Sequence, residues 1–256
     1  MEYIYETHLH TIEASACSET PAREYIEHMM RLGYSGMIVT DHFFNGNSAV
    51  PKNLPWEEKV NMYCKGYENA LQEAEGKDFN VFFGIEFCFE GDEYLIYGVD
   101  KEWLLKHPEI MEVSRSELLK MVHEAGGMLI QAHPYRERDY LSAIRLAPND
   151  VDGCEGYNAG NPDYQNALGY QYGLKHNFLM SGGSDIHQLS QKTMGGVAFP
   201  YKINTIEEYI EAFLKGDGTA VIKKDVDSPD ARFVPVSECP ELTSTTEKPT
   251  LSVIIY

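Results

Sequence analysis

The residues best equipped for chemistry in this chain are histidines with acidic companions. His8 and His10 flank Leu9, Asp41 precedes His42, Glu86 ends an apolar run, His133 precedes Pro134, and Asp185 is followed two positions later by His187. Imidazole and carboxylate groups together suit zinc, iron or manganese. In an extended segment residues i and i+2 point the same way, so His8 and His10 can reach one ion while Leu9 faces the packed side. The same alternation directs Asp185 and His187 into one cavity, although Gly182-Gly183-Ser184 before them reads as a loop. The five cysteines are widely spaced and form no Cys-x-x-Cys pair. That excludes a zinc ribbon and a thioredoxin-like motif and predicts reduced thiols.

These residues need elements to bring them together. Short, nearly continuous apolar runs predict strands over Tyr3–His8, Gly36–Thr40, Asn80–Ile85, Tyr94–Val99, Met128–Ala132, Val151–Glu155, Phe178–Ser181 and Thr219–Ile222, as for strands buried on both faces. Between them, Thr20-Pro21 reads as an N-cap and first helical position, with Ala22, Tyr25, Ile26 and Met29 on one face. Trp56–Glu75 predicts a long helix, and Ser114 with Glu117 a capping box closed by Gly126-Gly127. Strand–helix alternation of this kind predicts a parallel α/β sheet, closed as a barrel or open, and no G-x-G-x-x-G follows the first strand. The candidate residues then share one location. His8 and His10, Asp41 and His42, Glu86, His133, Glu155 and Asn158, and Asp185 and His187 all fall at strand ends, where parallel barrels build active sites. Of nine histidines, five lie there; His28, His107, His123 and His176 read as ordinary surface or core residues.

Bulk properties narrow the partners. The chain has 256 residues, 40 acidic against 21 basic, for a formal net charge of −19. Nucleic-acid affinity comes largely from Lys and Arg neutralising phosphates, so a general polymer-binding surface is disfavoured. No apolar run approaches the roughly 18 residues of a membrane span, and the N-terminus lacks the features of a signal peptide. The expectation is a soluble, cytoplasmic protein with no membrane partner. It would have one domain over residues 1–224 and a Pro-, Ser-, Thr- and acid-rich tail or edge extension over 225–256.

The segments Thr7-His8-Leu9-His10-Thr11, Thr40-Asp41-His42, Gly84-Ile85-Glu86, Ala132-His133-Pro134 and Gly183-Ser184-Asp185-Ile186-His187 resemble, in order, the PHP (polymerase and histidinol phosphatase) superfamily over about residues 1–222. The resemblance implies a distorted (β/α)7 barrel and a phosphoesterase site with two or three divalent ions (zinc, iron or manganese). By motif position His8, His10, Glu86 and Asp185 would hold the first ion. Glu86 would bridge to a second bound by His133, and His42 and His187 would hold a third. Asp41 matches a position that orients its neighbours. Where the family often has an Asp or His after H-x-H, this chain offers Glu13 or Cys17. Glu13 is slightly favoured, since a hard carboxylate suits iron or manganese and a thiolate suits zinc. Where a second-site histidine often follows Glu86, this chain has Glu93.

The resemblance implies hydrolysis of a small phosphorylated substrate by metal-activated water. Arg136, ahead of Arg138, is the candidate phosphate donor, since a guanidinium fork matches phosphate oxygens. Tyr157 and Asn158 are candidates to line the pocket. A 3′–5′ exonuclease-type phosphodiesterase, an amidohydrolase and a metal-binding regulatory domain without turnover are the competing readings.

Overall fold

The computed structural model describes residues 2–256. The strands are β1 (Tyr3–Glu6), β2 (Gly36–Val39), β3 (Asn80–Phe89), β4 (Asp92–Tyr97), β5 (Met128–Gln131), β6 (Ile144–Leu146), β7 (Gly153–Asn158), β8 (Leu179–Gly183), β9 (Met194–Phe199), β10 (Thr219–Lys223), β11 (Val234–Pro235) and β12 (Val253–Ile255). The helices are α1 (Ala22–Leu32), α2 (Trp56–Tyr63), α3 (Lys65–Glu73), α4 (Lys101–Lys106), α5 (Arg115–Glu124), α6 (Asp163–His176), α7 (Ile206–Leu214) and α8 (Pro240–Thr243).

One ten-stranded sheet runs β11-β10-β9-β1-β2-β3-β4-β5-β7-β8, and β12 pairs with β6 apart from it. β1, β2 and β3 are parallel, as are β5, β7 and β8. β4 runs antiparallel between β3 and β5, and β9 antiparallel between β1 and β10. The expected all-parallel alternation is therefore interrupted at β4, at β9 and, on the sheet's edge, at β11. Asp92–Tyr97 returns from β3 as a hairpin, and Met194–Phe199 is a strand the apolar pattern does not announce. The result is a curled, mixed α/β sheet.

Glycines let that sheet curl. A Cβ on Gly195 would lie 2.5 Å from the Gly183 carbonyl oxygen, and one on Gly182 2.9 Å from that of Gly196. Only bare backbone permits β8 and β9 to approach so closely. Large side chains fill the interior; Tyr5, Ile38, Leu95, Ile130 and Val197 form part of one core cluster.

Two helical expectations change. Trp56–Glu75 divides at Cys64 into α2 and α3. At the start of α3, a Cβ on Gly66 would sit 2.3 Å from Thr11 Oγ1 and 2.9 Å from Asp41 Oδ2, so glycine allows the helix to press on the loop beneath the site. At α1 the cap is not Thr20. Pro21 is the flanking residue, without a side-chain cap. The Glu13 carboxylate instead accepts the Ala22 N–H at 3.0 Å, satisfying one of the unpaired amides at a helix start. The Ser114–Glu117 capping box is present.

Residues 225–256 lie along the domain, β11 extending the sheet beside β10 and β12 pairing with β6. Among the described residues no helix is long and apolar enough to cross a membrane.

Candidate metal centre

After β1 the chain stays extended. Thr40 N donates to Leu9 O at 2.9 Å and His10 N to Ile186 O at 3.0 Å. Leu9 is fully buried and the rings on either side of it share one pocket, with His8 Nε2 3.1 Å from His10 Nε2. Glu86, from β3, places Oε1 3.1 Å from His8 Nε2 and Oε2 3.3 Å from His10 Nε2. Asp185 Oδ1 lies 3.6 Å and 3.2 Å from the same two nitrogens. Four donors from three segments thus converge.

The outer nitrogens of both rings are already committed. His8 Nδ1 is 3.0 Å from Glu155 Oε1, an acceptor in its ionised form. His10 Nδ1 is 3.0 Å from Ser15 Oγ. Ser15 donates its own proton to Asp41 Oδ1 at 2.7 Å and accepts the His42 N–H at 2.9 Å, so toward His10 it acts as acceptor. Each imidazole is therefore held from outside through its Nδ1–H, and Nε2 is the nitrogen that faces the cluster. Holding metal-binding histidines by a carboxylate or hydroxyl on the far side is a common way of fixing that tautomer.

Glu86 is the hub. Its Oε1 is also 3.0 Å from His133 Nε2, and its Oε2 2.7 Å from His42 Nδ1. Glu93, on antiparallel β4, adds oxygens 3.3 Å from His133 Nε2 and 3.6 Å from His42 Nδ1. Four three-residue groups have ligand atoms within 4.8 Å of one another: His8, Glu86 and His133; His8, His10 and Asp185; His42, Glu86 and Glu93; and His10, His42 and His187. Glu86, Glu93 and Asp185 face the Arg136 guanidinium, with Arg138 farther out, and the electrostatics follow. Burial would lower His8, but Glu155, Asp185 and Glu86 outweigh it and hold it well above its usual value. Burial pushes Glu93 up to about 8, reinforced by the like charge of Glu86. The pocket favours added positive charge.

The backbone is strained at two of these positions. His133 and Asp185 take φ of +28° and +50°, a region that costs non-glycine residues on the order of 1–2 kcal/mol. Neighbours hold them there. The His133 N–H donates to Glu155 Oε2 at 2.7 Å, and Arg136 Nη2 donates to Asp185 Oδ2 at 2.5 Å.

No family model and no curated protein matches the chain. Solved structures do. A Bacteroides vulgatus two-domain protein containing a predicted PHP-like metal-dependent phosphoesterase superposes with a TM-score of 0.65 at 15% identity, covering 86% of this chain and 64% of that one. This chain shares that fold. It spans 57% of a lesion-specific endonuclease from Pyrococcus furiosus, with 86% of its own length covered, a TM-score of 0.56 and 15% identity. A Chromobacterium violaceum amidohydrolase shares the fold at a TM-score of 0.51 and 12% identity, covering 82% of this chain and 96% of that one.

Within this fold the remaining candidates separate. Glu13, favoured from the sequence for the third site, is turned away from the cluster. Its carboxylate receives Ala22 N–H and Asn69 Nδ2 at the start of α1, because it lies in a loop where strand alternation does not apply. Cys17 is on the cluster side and lines the pocket with His42 and His187. Burial would raise its thiol, but the two rings bring it down to about 6. Asp41 touches no member of the cluster directly apart from its chain neighbour. It accepts Thr11 N–H and Thr11 Oγ1, both at 2.6 Å, as well as Ser15, and so shapes the loop under His10.

Arg136 lines the pocket, with Nε on Asn161 at 2.8 Å and Nη2 on Asn158 at 2.9 Å as well as on Asp185. Arg138 lies at the rim, held to the Glu137 and Gly160 carbonyls. Tyr157 is packed in the interior with Ile222 and Val236 rather than in the pocket. Three supporting residues lie beyond the reach of sequence patterns: Ser15, Ser184 and Glu6. Glu6 Oε1 accepts the N–H groups of Thr7, His8 and Ser184, each at 2.9 Å, and so ties the H-x-H segment to the Asp185 segment. Its only sequence signal is an acid inside an apolar strand.

Proposed function

We propose that the protein is a metal-dependent phosphoesterase of the PHP superfamily acting on a small phosphorylated metabolite or nucleotide. The observation that carries this reading is the pair of His8 and His10 Nε2 atoms at 3.1 Å. Both outer nitrogens are occupied and two carboxylates stand beside the pair. Nitrogens this close need positive charge between them: without a metal, the proton that the surrounding carboxylates hold on His8 supplies it, and a divalent ion would take that proton's place. The size fits as well: donors about 2.1 Å from a tetrahedral ion lie about 3.4 Å apart, against the 3.1–3.6 Å found here.

His8, His10, Glu86 and Asp185 would hold the first ion, Glu86, His133 and Glu93 a second, and His42, His187 and Cys17 a third. The identity of the ions, zinc, iron or manganese, follows from availability as well as from donor softness. Bound divalent ions supply an acidified water and positive charge for the transferring phosphoryl group. The chain supplies orientation. Arg136, braced by Asp185, Asn158 and Asn161, presents a guanidinium to a phosphate oxygen. Glu155 and Ser15 keep the imidazole lone pairs aimed inward.

The adjoining cavity, about 880 Å³ and lined also by Asn45, Glu90, Arg138 and Tyr140, has room for an organic group beyond the phosphate. A net charge of −19 opposes a long polyanion, which ranks nucleic-acid cleavage second. That alternative has one observation in its favour, the fold shared with the Pyrococcus endonuclease.

The test compares metal-loaded protein on p-nitrophenyl phosphate, nucleoside monophosphates, bis(p-nitrophenyl) phosphate, a single-stranded oligonucleotide and a lactone panel, with His10→Ala as control. Phosphate release from monoesters, lost in His10→Ala, is expected. Preference for the oligonucleotide, activity confined to lactones, or an active His10→Ala variant would each overturn the proposal.

A further inference from the structure

The loop of residues 132–143 joins β5 to β6 and carries His133, Arg136, Arg138 and Tyr140, the side of the pocket with its cations. A loop is positioned by what holds its two ends. β5 is a central strand of the main sheet, but β6 is not in that sheet; its one strand partner among the described residues is β12. The end of the Arg136 loop is therefore moored on Val253–Ile255 and the residues beside it. Ile144 N donates to Ser252 O at 2.8 Å, and Tyr256 N to Leu146 O at 2.9 Å. Leu251 packs with Ile144, Leu146, Cys154 and Tyr172.

A second mooring lies inside the loop. Glu137, the residue after Arg136, turns away from the pocket to the same segment. Its Oε1 accepts Thr250 N–H at 2.6 Å and Leu251 N–H at 3.3 Å, and its Oε2 accepts Thr250 Oγ1 at 2.7 Å. A carboxylate receiving three donors from one short segment is a strong local clamp.

The segment also reaches the opposite wall. Glu90 and Gly91, the β3–β4 turn, line the pocket, and Tyr256 Oη donates to Glu90 Oε2 at 3.2 Å. The Tyr256 ring lies 4.2 Å from the Arg115 guanidinium carbon, with the Phe89 ring 4.8 Å from the same atom. Arg115 grips buried Asp92 through two donors, at 2.8 and 2.7 Å. Both walls of the pocket thus end on one strap.

We propose that residues 250–256 are a positioning strap for the anion-binding wall, acting through Glu137 and β6 to hold Arg136 where the substrate's phosphate must sit. The part concerning phosphate rests on the phosphoesterase reading; the mechanical part does not. β6 has a further tie, Gln131 Nε2 to Arg145 O at 2.8 Å, so losing the strap loosens the loop without unfolding the sheet.

The experiment uses the 256-residue chain, Glu137→Ala, Glu137→Gln and a variant lacking residues 250–256, all loaded with metal. Hydrogen–deuterium exchange is read over residues 133–146 and inorganic phosphate binding by calorimetry. Glu137→Ala and the deletion should speed exchange in that loop and weaken phosphate binding, each about tenfold, as expected for loss of charged hydrogen bonds, with the first ion, whose proposed ligands lie outside the loop, still bound. Glu137→Gln, which keeps an acceptor for the two backbone donors, should recover most of both. Unchanged loop exchange in folded Glu137→Ala overturns the strap, as does unchanged phosphate affinity in a protein whose parent binds phosphate. A parent that binds no phosphate refutes the phosphoesterase reading, while the exchange comparison still decides the strap. Should the deletion fail to fold, the two point variants decide between the same outcomes.

Discussion

Replacing Glu155 with glutamine probes the centre without touching a proposed metal ligand. Glu155 is fully enclosed and receives three donors: His8 Nδ1 at 3.0 Å, His133 N at 2.7 Å and Asn158 Nδ2 at 2.9 Å. A carboxylate can accept all three, but an amide has one oxygen. With that oxygen toward His133 and Asn158, two bonds survive and the amide NH2 faces His8 Nδ1. The opposite orientation sets the NH2 against two donors and is worse. His8 must then move its proton from Nδ1 to Nε2, so that a proton replaces the lone pair aimed at Glu86 and Asp185. Losing this kind of outer support costs about 10- to 100-fold in metal affinity, about 1.4–2.8 kcal/mol. That matches the roughly 1.5–3 kcal/mol of a hydrogen bond to a charged group. The assay is chelator competition with zinc or manganese, with His123→Gln as control, since His123 pairs with Asp152 on the surface. Glu155→Gln binding metal within twofold of wild type, in a folded protein, would refute the tautomer reasoning.

Stripping metal with a chelator should lower the melting temperature. A ligand at a thousand times its Kd stabilises by about 4 kcal/mol, about 8–16 °C for a chain of this size, and an unshifted transition in calorimetry would count against any resident ion. Cys17→Ser should change the number or affinity of bound ions, and Co(II)-substituted protein should lose its thiolate charge-transfer absorption. Glu13→Gln should leave both intact and lower stability by only about 1 kcal/mol, a helix-cap effect; the reverse pattern would restore Glu13 as ligand. Burial pushes Glu6 up to about 7 from an ordinary 4.5, against the pull of Ser184 and the His8 N–H. A raised folded-state value means the native state holds the proton more tightly. Its contribution is complete below about pH 4.5 and fades as pH rises through 7, on the order of 3 kcal/mol in all. Denaturant titrations from pH 5 to 8 should show this slope in wild type and not in Glu6→Gln, and equal slopes would dismiss it.

How far the sequence reaches depends on the range of the interaction being read. Tyr3–Glu6, Gly36–Val39, Met128–Gln131 and Leu179–Gly183 are legible because apolar runs report burial directly. Strand direction is not in that signal. Tyr94 and Leu95 look as buried in an antiparallel hairpin as in a parallel strand, so by its apolar pattern β4 passes for a further strand of the parallel set. β9 escapes notice because Gly195 and Gly196 suppress the β-branched signature. Those glycines are there for the close approach to β8, a tertiary need. The division of Trp56–Glu75 at Cys64 is equally silent in a helical pattern.

The same distinction runs through the centre. His8 and His10 are readable as a pair because two-residue alternation is a local rule, and the structure sets their nitrogens 3.1 Å apart. Glu13 and Cys17 sit in a loop where no local rule ranks them. Chemical hardness favours Glu13, yet its carboxylate is spent on the amide of Ala22, a partner nine positions on that only the folded α1 presents. Glu6 and Ser15 are less legible still, since their roles consist of contacts across 178 and 26 residues of chain; Glu155 is placed at a strand end by the sequence, but its hold on His8 across 147 residues is not. Candidate ligands can be named from type and spacing; which groups brace them from behind is not readable from either. Those groups decide whether an imidazole offers a lone pair or a proton, so a chain could keep all of its H-x-H and S-D-x-H residues and still lose the metal. For this protein the change at Glu155 is therefore a sharper test of the centre than removal of a histidine, which any metal site would register.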